Sequence, residues 1–184
     1  MLPLILGLAL WVGGHLWNRF TPDVYARLGK ASYAVSALII VSAVVVIVMG
    51  YRSADFIPVW YPPTFFTHIN NLLMVFALYT YFATATPKGT VWLVGNLRNP
   101  QLTGFKIWAA AHLLVNGDLA SIVLFGGLMA WAVVEVILIK RQGEKFDRTK
   151  AKVTSRLGHL AIVVVALVII IAIHAWVGVS PVGG

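Results

Sequence analysis

Six apolar runs, at roughly 2–17, 31–50, 64–83, 104–117, 119–139 and 157–179, constrain this chain more than any other feature, because most reach or approach the ~20 residues that span a bilayer core. Short polar connections separate them. All eight prolines (3, 22, 58, 62, 63, 87, 100 and 181) fall at run ends or between runs, where a helix tolerates the missing backbone N–H. Charged residues make up only 11% of the chain, against about 25% in a soluble domain, too little polar surface for a water-soluble globule. These features predict an all-α fold: a polytopic transmembrane bundle of about six helices, one domain over residues 1–184, with the lipid bilayer as its first partner.

The net charge of +8 reads as topology, not as a nucleic-acid footprint. Thirteen of the fourteen Lys and Arg lie in alternate connections, at 18–30, 84–106 and 140–156, and Arg52 is the exception. The positive-inside rule then puts the basic connections in the cytoplasm and both termini on the outer, periplasmic side of a bacterial inner membrane. The basic stretch 140–156 also suits anionic lipid. The first run has no basic segment before it and leads into Gly13-Gly14-His15, which reads as a retained helix and not a cleaved signal. Cysteine is absent, which removes disulfides, iron–sulfur clusters and thiolate ligation. His, Met, carboxylate and amide groups remain as ligands.

Polar residues that interrupt apolar helix are costly in hydrocarbon and therefore mark candidate sites. They concentrate between residues 98 and 135, as Lys106, His112, Asn116, Asp118 and Glu135. Phe105, Trp108, His112 and Asn116 follow at helical spacing and form one stripe. Asn116-Gly117-Asp118 makes a tight connection in which Asp118 is suited to cap the next helix. Glu135 has two readings, an interfacial partner of a basic loop or a carboxylate within the bundle.

In the first helix Gly7, Trp11, Gly14 and Asn18 share a stripe, which serves either close helix packing or room for a flat ligand beside His15. His15 lies ~5 Å inside the cytoplasmic boundary, and His112, measured from Lys106, ~9 Å inside it. The histidines thus sort by depth into 15, 112 and 159 on one side and 68 and 174 on the other. His68, Asn70 and Asn71 read as interhelical hydrogen-bonding groups, and Arg52–Pro63 as an interfacial loop. Two histidines at one depth on different helices can clamp a b-type haem between them.

Phe105-Lys106-x-Trp108-Ala109-x-Ala111-His112-Leu113-x-x-Asn116-Gly117-Asp118, followed by Leu124-Phe125-Gly126-Gly127 and Trp131-x-x-x-Glu135, resembles the bacterial NnrU family over nearly the whole chain, and Gly14-His15 fits its first helix. The resemblance implies an association with denitrification, in nitrite and nitric oxide metabolism, with denitrification enzymes as partners. NnrU proteins are similar in turn to the 15-cis-zeta-carotene isomerases, which hold haem b between two histidines. Carried over by position, those are His15 and His112, with Trp11 and Trp108 one turn from each ligand. The isomerases carry a cysteine where this chain has Ala109, which puts carotenoid isomerisation in doubt and leaves haem binding intact. The expected function is a redox component or a redox-dependent isomerase, acting on an apolar or small uncharged substrate that arrives through the bilayer. Asp118, Glu135 and Asn116 are the candidate catalytic residues. Arg98-Asn99-Pro100 with Gly104 also resembles the start of the S-adenosylmethionine site in membrane methyltransferases of the isoprenylcysteine and phospholipid type, although no Glu-Glu pair follows. A non-enzymatic assembly or regulatory protein would need neither cofactor.

Overall fold

A computed structural model of the chain describes residues 1–84, 97–143 and 156–178. Among these are seven α-helices and no named strand: α1 (Leu2–Phe20), α2 (Pro22–Leu28), α3 (Ala31–Arg52), α4 (Phe66–Tyr81), α5 (Pro100–Val115), α6 (Leu119–Arg141) and α7 (Arg156–Trp176). Each of the six apolar runs is helical. The seventh helix, α2, lies in a stretch expected to be a loop. Its signals are local: Pro22 opens it, Asp23 sits in the first turn, and Gly29, at φ +52°, ends it. None of its residues is buried, so no apolar pattern could reveal it.

Helices α3, α6 and α7 are long and apolar enough to cross a membrane, with mean hydropathies of 2.6, 2.5 and 2.7. The chain is an integral membrane protein. Helices α4 and α5 have 16 residues each, about 24 Å of helix against a hydrocarbon core of about 30 Å. The connection carrying Lys88, and the one holding Lys145, Arg148, Lys150 and Lys152 with Glu144 and Asp147, fall outside the described residues.

The structure divides into two compact units: residues 1–61 with 117–131, and residues 62–116 with 132–184. In the first, α1 packs along α3 through small residues. A Cβ on Gly7 would lie 2.7 Å from the Ile47 backbone nitrogen, one on Gly14 would lie 2.9 Å from the Ile39 side chain, and one on Gly50 would strike the Leu4 backbone. The glycine stripe of α1 therefore closes a helix interface. Trp17 Nε1 ties the pair further by donating to Ser36 Oγ at 2.8 Å. The segment expected to be a plain interfacial loop pairs with the α5–α6 turn instead. Val59 and Trp60 N–H donate to the Gly117 carbonyl at 2.8 and 3.1 Å, and Leu119 N–H donates to Ile57 at 2.9 Å.

The second unit is built on α4 and α5, with α7 against α4. Gly104 makes the closest contact, since a Cβ there would lie 2.6 Å from both the Ala77 carbonyl oxygen and the Tyr81 nitrogen. A 3₁₀ turn, Phe82–Thr84, ends the α4 segment.

Candidate functional site

His15 occupies an aromatic setting within the first unit. Its ring lies 4.3 Å from Trp11 and 4.6 Å from Trp131, and the two indoles meet edge to face at 5.3 Å. His15 Nδ1 is 2.9 Å from the Trp11 carbonyl. A carbonyl can only accept, so the proton sits on Nδ1 and Nε2 is the basic nitrogen, the arrangement that prepares an imidazole to ligate a metal. Helix spacing produces this: the carbonyl four residues back is within reach of a half-buried histidine.

His112 repeats that local geometry in the second unit. Its Nδ1 lies 2.9 Å from the Trp108 carbonyl and its ring 4.9 Å from the Trp108 ring, with Phe105 5.1 Å further along the same face. The stripe expected from spacing therefore forms as one surface. Its last member, Asn116, ends the helix: its side-chain amide donates to the His112 carbonyl at 2.8 Å and its backbone N–H to the same oxygen at 3.0 Å. Asp118 caps α6, accepting from Ser121 N–H at 2.9 Å and from the Ser121 hydroxyl, which also meets Tyr51 OH at 2.8 Å. Glu135 is buried, at 9% exposure.

The depth of His112 needs correcting. Measured from Lys106 it stood near the cytoplasmic edge, but α5 begins at Pro100 and ends at Val115. His112 is therefore about 18 Å along the helix and close to its far end. It lines a cavity of about 180 Å³ together with Asn70, Asn71 and His174. His112 thus shares its surroundings with His174, a residue assigned to the opposite depth. His159, grouped at the same depth, is fully buried and meets the Tyr79 ring edge to face at 4.6 Å. The Tyr79 and Phe82 carbonyls are its polar neighbours, yet neither ring nitrogen makes a hydrogen bond of ordinary geometry among the described residues.

A second cavity, of about 230 Å³, lies between Gly104, Phe105 and Trp108 of α5 and the end of α4, and shares Ile170 with the first. The Arg98-Asn99-Pro100 turn serves structure in this fold. Asn99 stands at the N-cap of α5, Arg98 donates to the Ile139 carbonyl at 3.4 Å, and Gly104 is committed to the contact with α4. No group of three or more His, Cys, Asp or Glu among the described residues could hold a metal ion. Sequence reading passed over the cavity that Asn70 and His174 line. Pro100 fixes the start of α5 and so carries His112 toward the end of the helix where Asn116 sits, whereas depth counted from Lys106 takes that residue as the membrane edge.

The family model described as NnrU protein matches residues 3–181, nearly the whole chain. No curated protein and no solved structure matches it.

Proposed function

The chain belongs to the NnrU family, and from that premise we propose that it is a haem b protein of the bacterial inner membrane that supports nitrite or nitric oxide metabolism. One observation carries the proposal: His15 and His112 have the same local construction, with Nδ1 held by the carbonyl of a tryptophan one turn back and the ring against that indole. Each is an oriented imidazole with Nε2 basic, which suits a histidine that holds a b-type haem. His15 and His112 would hold the iron. Haem held there would supply one-electron exchange.

The chain's own residues set the conditions. Trp11 and Trp131 pack on the His15 ring and restrict its rotation, while the capped end of α5 at Asn116 fixes His112. Apolar walls favour an uncharged substrate such as nitric oxide or a long apolar chain over nitrite, whose desolvation is costly. The role is that of a redox component or a redox-dependent isomerase. With the basic connections in the cytoplasm, a cysteine at Gln142 in this cysteine-free chain is shielded from impermeant reagent in intact cells; labelling from outside reverses the topology.

The test is the absorption spectrum of protein purified from haem-replete cells, oxidised and reduced, with and without nitric oxide. A Soret band should shift on reduction. His15→Ala and His112→Ala should each lose haem or turn it high-spin, while His68→Ala and His174→Ala retain the wild-type spectrum. A colourless protein defeats the proposal. Saturable S-adenosylmethionine binding by a colourless protein would put methyl transfer in its place, and the absence of both would leave an assembly or regulatory role.

A further inference from the structure

The cavity between α4, α5 and α7 combines an apolar wall with two hydrogen-bond acceptors, Asn70 Oδ1 and His174 Nε2. Asn70 is 8% exposed; its side-chain nitrogen donates to Asn71 Oδ1 at 3.3 Å, and its own Oδ1 has no partner among the described residues. A buried amide oxygen left in this state is destabilising unless a donor arrives. His174 lines the same cavity, with Nδ1 2.8 Å from the Ile170 carbonyl. That carbonyl can only accept, so the proton is on Nδ1 and Nε2 is an acceptor. A ligand that brings donors satisfies both acceptors, and no carboxylate lines the cavity to neutralise a cation.

Size narrows the class. A dry cavity of about 150 Å³ holds one benzene molecule, so about 180 Å³ admits a single six-membered ring with small polar substituents. Access narrows it further. Val75 and Ile171, both lining the cavity, are 44% and 37% exposed, and Ile171 lies on α7, a helix long and apolar enough to cross a membrane, so a ligand can enter from the bilayer and leave an apolar tail in it. We propose that this cavity binds the ring of a membrane-soluble hydroquinone, one hydroxyl donating to Asn70 Oδ1 and another to His174 Nε2. A single-hydroxyl phenol satisfies only one of the two acceptors. The oxidised quinone carries carbonyl oxygens, which accept and cannot donate, so the site selects the reduced form. This goes beyond the haem reading: His112 lines the cavity too, but the two groups that would accept the hydroxyls, Asn70 and His174, are not iron ligands in it.

The experiment titrates the purified full-length chain, in detergent and without oxygen, with tetramethylhydroquinone, tetramethylbenzoquinone and tetramethylphenol, following binding by calorimetry. Saturable one-to-one binding is expected, with the hydroquinone about tenfold tighter than the quinone and the phenol between them. Asn70→Leu and His174→Leu should each remove most of that preference while leaving weak quinone binding and haem content unchanged. Equal affinity for the two oxidation states, or unsaturable uptake matching empty micelles, overturns the proposal. So does an unchanged preference in both variants. Should either variant fail to fold, the preference of the wild-type chain decides. A Soret band lost without loss of the hydroquinone preference defeats the haem reading and leaves this one standing.

Discussion

The two units handle their polar and small residues in opposite ways. In the first, glycines bring α1 against α3, and His15 is enclosed by two indoles. In the second, Asn70, His112 and His174 surround open volume, and the buried Asn70 amide oxygen has no partner among the described residues. Between helices in a membrane there is no hydrophobic drive, so stability comes from close packing and from satisfied polar groups. The first unit follows the packing half of that rule, with the glycines of α1 closed against α3. The second departs from it where a ligand would restore it, and such departures concentrate at functional sites.

The largest break in the comparison should come from Trp131→Ala. Trp131 is 7% exposed and supports both Trp11 and His15. Truncating a buried tryptophan costs about 3–5 kcal/mol in soluble cores, and the enclosed setting of His15 opens with it. Thermal unfolding in detergent should show a large fall in midpoint; a change of only a degree or two would mean the first unit is not closely packed there.

Gly50→Ala should come next. The new methyl meets the Leu4 backbone, which no rotamer change can move aside, and overpacking of this kind costs about 1–3 kcal/mol. A midpoint unchanged from wild type would show that α1 and α3 slide apart freely.

Much of this contrast was legible in the sequence. Gly7 and Gly14 share a stripe of α1, and that spacing implies one close helix contact whichever helix supplies the other side. The Phe105–Asn116 stripe was legible for the same reason, since helical periodicity fixes which residues share a face. The α2 helix was not, because its residues bury nothing and so leave no apolar period. Nor was the grouping of His112 with His174, because depth counted from Lys106 takes that residue as the membrane edge, and α5 starts six residues earlier. Pairings across helices depend on register, and a single chain carries little information about register beyond its end signals.

Asn70→Leu sharpens the comparison in the opposite direction. It removes the buried oxygen that lacks a partner, at the cost of the 3.3 Å bond to Asn71, and replacing an unsatisfied polar group with an apolar one of similar shape is neutral to stabilising, here by about 1 kcal/mol. A raised midpoint together with lost hydroquinone selectivity would be a trade of function against stability. A clear fall in midpoint would mean the amide is structural.

The smallest effect is expected at Gly13, which is adjacent in sequence to Gly14 and opposite in role. Gly13 is exposed and a Cβ there meets nothing within 4 Å, whereas one on Gly14 would press on Ile39 and Ile40. Gly13→Ala should therefore keep only the gain from restricting the unfolded backbone, about 0.5 kcal/mol, while Gly14→Ala loses more than that through displacement of the two isoleucines. The sign of the difference between neighbouring glycines is the measurement: a rise in midpoint for one and a fall for the other means that α3, and not helix propensity, set the glycine content of α1. If both rise together, the contact with α3 is loose enough to absorb a methyl, and the first unit loses its claim to be the more tightly packed of the two.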